Sequence, residues 1–275
     1  MAVTRTDYSD LAVHAARQVL IELVHALGDY REEMIIIGGW VPELLYSDES
    51  DPHIGSIDVD LALDHNALED RRYAAIEKIL LERNYYRNDG YPFSYFRDVE
   101  IGGHTVTVRV DLMAGQYGGT GKNRRTQKAA DVRARKARGC DLAFDLHSIV
   151  EISGELPGGA KDTVRVKVAS VVPFLVMKGM ALTDRMKEKD AYDIYYVVRY
   201  FPGGIDVLVK EIRPYAGYGL VVEGLGKIRE AFLSPDHVGP AHVAAFLGTA
   251  SQDERDRIRR DAFERVNALL IGLGF

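Results

Sequence analysis

Apolar and polar residues follow two spacings along the first part of the chain, one typical of helices and one typical of strands. Leu11 to Leu27 carries apolar residues at helical intervals and stops before Gly28, which predicts an opening amphipathic helix. Apolar and polar residues alternate in IDVDL and TVTVRVDL, within the runs SIDVDLAL and HTVTVRVDLM, and SYFRDVEI precedes the second run. The β-branched run MIII ends at Gly38-Gly39. These runs predict strands, two of them joined by a hairpin turn at Gly102-Gly103.

The spacing of the apolar residues changes near residue 168. Before that point the predicted strands alternate with helical segments, WVPELLYS and ALEDRRYAAIEKILLERN, and a second strand pair is formed by HSIVEISGEL and TVRVKVAS. Beyond it the periodic segments are helical, with Pro173 suited to a first turn and the run SQDE matching a capping box before the last helix. We therefore predict an α/β (α+β) domain with a mixed sheet over residues 1–168 and a helical domain over residues 169–275.

The composition is typical of a folded globular protein, with 47% hydrophobic and 28% charged residues among 275. The single cysteine, Cys140, cannot form an intramolecular disulfide, and the first residues lack the apolar core of a signal peptide. The longest apolar stretch, Val168 to Leu182, contains Lys178 and is shorter than the roughly 20 residues that a bilayer span requires. We therefore expect a cytoplasmic protein without a membrane partner.

Charge is distributed unevenly along the chain, although the net charge is only −6. Residues 1–115 contain 10 Lys and Arg against 21 Asp and Glu, whereas residues 116–140 contain 8 against 1. The basic residues of the second segment are Lys122, Arg124, Arg125, Lys128, Arg133, Arg135, Lys136 and Arg138. Residues 115–140 show no clear period, so we expect a mobile basic loop. Such a loop either binds the phosphates of RNA or is simply solvated.

Alternation also assigns three aspartates to the solvent side of the predicted strands. In IDVDL, Asp58 and Asp60 share one face and the apolar residues take the other, because successive side chains of a strand point in opposite directions. The same parity in TVTVRVDL leaves Arg109 and Asp111 opposite the valines. If the two strands are neighbours, the three carboxylates share a surface. The alternative is that the D-x-D pair is only the solvent face of an amphipathic strand.

Three carboxylates on one surface point to a hard divalent cation. Converging carboxylates raise one another's pKa unless a cation neutralises them. Mg²⁺ prefers oxygen ligands, keeps coordination positions for substrate phosphates, and in pairs can activate an attacking hydroxyl while stabilising the leaving oxygen. We therefore expect Asp58, Asp60 and Asp111 to be metal ligands and catalytic residues, with two Mg²⁺ ions as cofactors.

Small residues precede the D-x-D strand in two places. Gly38 and Gly39 lie between a predicted strand and a helix, where a phosphate can approach backbone N–H groups and a helix N-terminus. Ser56 lies just before the aspartates and offers a hydroxyl. These three residues are therefore candidates for nucleotide binding, although a Gly-Gly pair also simply ends strands.

The predicted helical domain contains a lysine in an otherwise apolar run, VASVVPFLVMKGMAL. Lys178 must either extend its amine to water or meet an anion. Arg185 falls on about the same helical face, so the pair could grip a triphosphate. Asp190 and Asp193 share the face of a following helix, where they either orient Lys178 or the acceptor, or form ordinary interhelical salt bridges.

Taken in order, IIIGGW, GSIDVDLAL and VRVDLM resemble the DNA polymerase β-type nucleotidyltransferase superfamily, in which a Gly-Gly or Gly-Ser turn precedes a D-x-D strand and a later aspartate. The run VMKGMALTDRMKEKDAYDIYY adds a likeness to the AbiEii/AbiGii toxin family, whose helical half carries a lysine, an arginine and a K-D-x-x-D segment. The resemblance covers roughly residues 34–200 and implies a polymerase β-type domain followed by a helical domain.

The resemblance implies Mg²⁺-dependent transfer of a nucleotide from an NTP to an acceptor hydroxyl by the toxin of a bacterial toxin–antitoxin or phage-defence pair. RNA, with tRNA as the candidate, is then the acceptor, and a cognate antitoxin is a further partner. The resemblance also implies that Lys178, Asp190 and Asp193 are catalytic residues and that Arg185 binds phosphate. Two alternatives stay open: transfer to a small molecule such as an aminoglycoside, and a non-catalytic module that binds nucleotide or RNA.

Overall fold

A computed structural model describes residues 4–64, 70–92, 94–114, 126–129, 132–249 and 251–275. The chain forms two compact units. The sheet unit comprises Asp10–Val41 and Gly55–Ser170, and the helical unit comprises Met1–Ser9, Pro42–Ile54 and Val171–Phe275. The helical unit thus begins its main segment near the boundary expected after residue 168, but it also takes two earlier segments of the chain.

The sheet unit is mixed α/β. Its strands are β1 (Met34–Ile37), β2 (Asp58–Leu63), β3 (Tyr86–Arg87), β4 (Ser94–Ile101), β5 (His104–Ala114), β6 (Thr126–Ala129), β7 (Val132–Lys136), β8 (His147–Glu155) and β9 (Lys161–Ala169). Its helices are α1 (Asp10–Ala26), α3 (Asp70–Glu82) and α4 (Asp141–Asp145), and α2 (Trp40–Tyr46) starts within it. A 3₁₀ turn also precedes β1, at Gly28–Glu33.

The strands lie in the order β3-β4-β5-β2-β1-β9-β8, with β7 pairing to the end of β5 and β6 pairing to β7. Neighbouring strands in sequence form antiparallel pairs, as in β4–β5 and β8–β9. The pairs β2–β5 and β1–β9, whose strands are far apart in sequence, are parallel. The sheet is therefore mixed, as its sequence predicts, and β2 and β5 are neighbours near its centre.

One face of this sheet carries the core of the unit. Val59, Leu61, Val108 and Val110 are fully or almost fully buried there, and α1 packs against β2, β4, β5, β8 and β9. The buried Glu22 of α1 accepts hydrogen bonds from Tyr85 and Arg97 on the strand side. Because α1 covers this face, residues of opposite parity on β2 and β5 face away from it.

Most elements expected from the sequence are present, with two corrections. The segment 115–140 was expected to be a loop without strands, but β6 and β7 lie within it, and Gly- and Arg-rich composition concealed their short period. Ser251 is the N-cap of the last helix as predicted, yet its side chain makes no capping hydrogen bond, so the expected capping box does not form.

The helical unit consists of α5 (Val171–Arg185), α6 (Glu188–Tyr200), α7 (Gly204–Ile212), α8 (Gly219–Ala231), α9 (Val238–Leu247) and α10 (Gln252–Leu273), with 3₁₀ turns at Arg5–Asp7 and Arg213–Tyr215. Helices α5 and α8 cross at two glycines: a Cβ on Gly179 would lie 2.3 Å from the carbonyl oxygen of Gly224. Among the described residues, no helix is long and apolar enough to cross a bilayer.

Candidate active site

The pairing of β2 with β5 brings the three predicted aspartates onto one face of the sheet. Asp60 lies directly opposite Asp111, and Asp58 lies opposite Arg109. Asp58 and Asp60 alternate with buried apolar residues on β2, so both point away from the face that α1 covers. Asp111 is almost buried, with its side chain 13% exposed, whereas that of Asp58 is 28% exposed. We call these three residues the carboxylate cluster.

Arg109 supplies a positive charge within the carboxylate cluster. Its Nη2 donates to Asp58 Oδ2 at 2.7 Å, and its Nε lies 3.3 Å from Asp111 Oδ1. Burial lowers the pKa of Arg109, but Asp111, Asp58 and Asp60 together outweigh that effect and raise the pKa above its ordinary value. The guanidinium therefore stays charged and partly compensates three carboxylates that would otherwise repel one another.

Two serines hold carboxylates of the cluster in place. The hydroxyl of Ser56, which is buried, donates to Asp58 Oδ1 at 2.7 Å, and the hydroxyl of Ser94 donates to Asp111 Oδ1. Trp40 fixes the start of β2 by donating its indole N–H to the carbonyl of Asp58 at 2.8 Å. Ser56, predicted as a nucleotide contact, thus directs its hydroxyl to an aspartate within the protein.

The predicted glycine turn lies against the carboxylate cluster. Ile37, the last residue of β1, pairs with Asp60, and Gly38 follows it with a φ of +72°. A Cβ on Gly38 would lie only 2.0 Å from Asp60 Oδ2. Glycine is therefore required at position 38 for two reasons, the left-handed backbone and the closeness of the aspartate. Gly39 is buried in the same turn.

Replacing Gly38 by alanine should therefore displace the Asp60 carboxylate. Gly102 is a matched control, because it also has a positive φ, +59°, but a Cβ there would meet nothing within 4 Å. We expect Gly102→Ala to lower the free energy of unfolding by about 1–2 kcal/mol through backbone strain alone. Gly38→Ala should cost about 1–3 kcal/mol more, because the added methyl group overlaps a packed side chain. Urea unfolding of both variants measures the difference, and equal losses would contradict the contact.

Among the residues that the structure describes, no three His, Cys, Asp or Glu side chains form a ready-made metal site. The donor set nevertheless fits a hard divalent cation, since all the candidate ligands are carboxylate oxygens on one surface. The glycine at position 38 also leaves the approach to Asp60 free of a side chain. The Arg109 guanidinium is the cation that pairs with Asp58 and Asp111 in the structure, and a metal ion would compete with it for those oxygens.

The helical unit contains a second charged cluster, formed by the other predicted site residues. Lys178 is buried, and its Nζ lies 2.8 Å from Asp190 Oδ1 and 2.6 Å from Asp193 Oδ2. Arg185 donates through Nε to Asp190 Oδ2 at 2.7 Å, and Lys189 pairs with Asp193. Lys178 therefore meets anions of the protein itself and does not extend its amine to water. These five residues, together with His53, are called the buried ion cluster below, although the Arg185 side chain at its edge is 37% exposed.

Opposite charges keep most of the buried ion cluster ionised. Burial alone lowers the pKa of Lys178, but Asp190 and Asp193 outweigh it and raise that pKa. Burial raises the pKa of Asp193, but Lys178 and Lys189 reverse the effect and hold the pKa well below its usual range. Lys189 has a lowered pKa, because its burial is only partly offset by Asp193. Its ammonium also lies over the Tyr8 ring, 5.3 Å from the centroid.

His53 was not singled out in the sequence, yet it completes the buried ion cluster. Its Nε2 lies 3.0 Å from Asp193 Oδ1, and its side chain is fully buried between Tyr192 and Tyr196. Burial lowers the pKa of His53 to about 4, an effect that Lys189 reinforces and the Asp193 hydrogen bond only partly offsets. The ring is therefore neutral at pH 7 and donates Nε2–H to the carboxylate.

The pKa of His53 predicts how stability depends on pH. Between pH 6.5 and about 4 the unfolded chain binds a proton at this histidine that the folded protein does not bind. Its contribution is therefore complete above pH 6.5 and is lost as the pH falls, by about 3 kcal/mol in total. We expect His53→Gln to flatten the dependence of unfolding free energy on pH in this window. Parallel curves for the wild type and His53→Gln would contradict the assignment.

The basic segment is only partly described. Lys122, Arg124 and Arg125 lie outside the described residues, and for Lys128, Arg133, Arg135 and Lys136 the backbone alone is described, in β6 and β7. β7 pairs with the end of β5, opposite Met113 and Ala114, just beyond Asp111. The backbone of β7, within the basic segment, therefore lies beside the end of β5 that follows Asp111.

No family model, no curated protein and no solved structure matches this chain.

Proposed function

We propose that the chain is a Mg²⁺-dependent nucleotidyltransferase that moves a nucleotide from an NTP to an acceptor hydroxyl. The hydroxyl oxygen would bond to the α-phosphorus as the bond to the β-phosphate breaks, which releases pyrophosphate and the hydroxyl proton. The observation that carries the proposal is the position of Asp60, directly opposite Asp111 on a parallel neighbouring strand and against the Gly38 turn, with Asp58 on the same face. This agreement between the strand order and the motif order GG, D-x-D, D supports a polymerase β-type sheet.

Each residue of the carboxylate cluster has a distinct part in this proposal. Asp58 and Asp60 would hold the metal-bound triphosphate, and Asp111 would complete the set on the acceptor side. Mg²⁺ bound there would neutralise phosphate charge and lower the pKa of the acceptor hydroxyl. Ser56 and Ser94 orient two of the carboxylates through their hydroxyl groups, so that fewer rotamers must be fixed when substrate binds.

Arg109 has a role of its own in the proposal. Its guanidinium compensates the cluster before the substrate arrives. If the carboxylates held a Mg²⁺ ion together with its triphosphate, the same fork of N–H donors would be available for phosphate oxygens. Lys178 and Arg185, by contrast, are engaged by carboxylates of the helical unit. We therefore assign their main effect to stability.

The biological setting of the proposal is the one that the AbiEii/AbiGii resemblance implies: the toxin of a bacterial toxin–antitoxin or phage-defence pair, with RNA, tRNA in particular, as acceptor and a cognate antitoxin as partner. The eight basic residues of 116–140 support RNA over an aminoglycoside-like acceptor, because a cationic small molecule would be repelled by them. A second function is favoured by one observation: Arg109 already pairs with Asp58. A module that binds nucleotide or RNA without catalysis would keep that pair closed.

Transfer of label distinguishes these functions. The protein would be incubated with Mg²⁺, cellular RNA and each NTP in turn, labelled at the α-phosphate. The proposal expects label in RNA with at least one NTP, and none when EDTA replaces Mg²⁺. Label in a small molecule would identify the other enzymatic function. Binding of NTP or RNA without any transfer would favour the non-catalytic module and overturn the proposal.

A further inference from the structure

A row of cross-strand neighbours connects the carboxylate cluster with the edge of the sheet. Asp58 on β2 is opposite Arg109 on β5, Arg109 is opposite Phe96 on β4, and Phe96 is opposite Tyr86 on β3. Directly opposed residues of paired strands share a face of the sheet. The side chains of Phe96 and Tyr86 therefore lie on the same face as the aspartates, two and three strand spacings away, or about 10 and 14 Å.

The aromatic end of this row is exposed. Tyr86 is 41% exposed and Tyr91, from the turn between β3 and β4, is 49% exposed. The Phe96 ring lies between them, with its centroid 5.9 Å from Tyr86 in a stacked arrangement and 5.5 Å from Tyr91 edge to face. We call these three rings the aromatic platform. Mutual contact limits their motion, so the surface is already formed before any ligand arrives.

The groups around the aromatic platform are better suited to a base than to a phosphate. Asp98 lies two residues from Phe96 along β4, opposite Thr107, and accepts hydrogen bonds from Tyr86 Oη at 3.0 Å and from Thr107 Oγ1 at 2.6 Å. Its negative charge disfavours a phosphate at that position but can accept from the amino group of a base. The positive charge of Arg109 lies at the inner side, toward the carboxylate cluster.

We propose that the aromatic platform stacks an unpaired nucleobase of a substrate whose reacting phosphate or hydroxyl lies at the carboxylate cluster. Stacking on exposed aromatic rings tolerates any base, because every base has a π face. The distance from Phe96 to Asp58 is about the length of one nucleotide. A base stacked on Phe96 could therefore belong to a nucleotide whose reacting group lies at Asp58. The identity of the ligand rests on the proposed function. The base belongs either to the NTP or to a single-stranded acceptor.

Binding measured without transfer tests the platform separately from catalysis. A short oligoadenylate is compared with an abasic oligomer of equal length, and Mg²⁺–ATP with Mg²⁺–ribose 5-triphosphate, so that each pair differs only in its bases. Three variants are compared with the wild type. The double variant Tyr86→Ala/Tyr91→Ala removes both exposed rings, and the single variant Tyr91→Ala removes one. The double variant Tyr86→Phe/Tyr91→Phe keeps the rings and removes the hydroxyls. Unchanged affinity for the base-free ligands shows that a variant is folded.

The wild type and the double phenylalanine variant should prefer one base-containing ligand over its base-free partner by about 5- to 100-fold. The double alanine variant should lose most of that preference and Tyr91→Ala part of it. A loss in the oligoadenylate pair places the acceptor base on the platform, and a loss in the ATP pair places the NTP base there; both support the inference. A wild-type protein without any base preference, or alanine variants that keep it, would overturn the inference. Transfer of label decides the proposed function independently, since it can fail while base-dependent binding persists.

Discussion

Asp60→Asn should reduce the proposed nucleotide transfer by at least about a thousandfold while leaving the protein folded. The side chain contributes a charge to the carboxylate cluster and faces away from the core, so its amide counterpart fits the same space beside Gly38. The change removes the negative charge with which Asp60 would hold a cation and with which it acts on Arg109. Label transfer and urea unfolding, measured on the same preparation, separate the two effects.

Glu100→Gln is the matched control for that change. Glu100 is an exposed carboxylate on the same face of the sheet, at the far end of β4, opposite Thr105. We expect its loss to leave both transfer and stability within error of the wild type. If Asp60→Asn transferred nucleotide at the wild-type rate, Asp60 would not be an active-site residue. Equal inactivation by the two changes would instead indicate a general effect of surface charge.

Asp193→Asn should lower the free energy of unfolding by about 3–5 kcal/mol. Asp193 is fully buried and faces Lys178, Lys189 and His53. Removing its charge leaves two buried ammonium groups with Asp190 as their main counter-charge, and desolvated cations without partners are costly. Urea unfolding followed by circular dichroism measures the loss.

A double-mutant cycle shows whether the loss comes from the ion pair. Lys178→Met removes one of the two ammonium groups, so the double variant should be less destabilised than the two single changes added together. Lys187→Ala, an exposed lysine at the start of α6, should cost less than about 0.5 kcal/mol. Additive losses, or a cost of under 1 kcal/mol for Asp193→Asn, would show that the buried ion cluster is not coupled in this way.

The alternation of side chains was sufficient to predict which face the aspartates occupy. Asp58, Asp60 and Asp111 lie on the side that their parity requires, because an apolar residue follows each of them into the core. Their pairing across β2 and β5 could only be stated as a condition. That contact is parallel and joins strands far apart in sequence, and local spacing contains no information on such a pairing.

Residues that act through long-range contacts could not be found from local patterns. Arg109 has the same parity as Asp111, so its presence on the face was predicted, but its ion pair with Asp58 depends on strand order. Ser94 could have been found by counting back from the Gly102-Gly103 hairpin, which places it opposite Asp111. His53 lies in a segment without periodicity, and only the folded helical unit shows its partner.

The division of the helical unit into separate segments has a consequence for the order of synthesis on the ribosome. Pro42–Ile54 emerges from the ribosome long before Val171–Phe275, but two of its residues have partners in that later segment. Tyr196 Oη donates to the carbonyl of Asp51, and His53 pairs with Asp193. Before α6 has been synthesised, Asp51 and His53 cannot form these contacts. Closing contacts of such long sequence separation is slow. A nascent chain stalled before α6 would therefore expose the segment, and a fragment starting at residue 169 would lack it altogether.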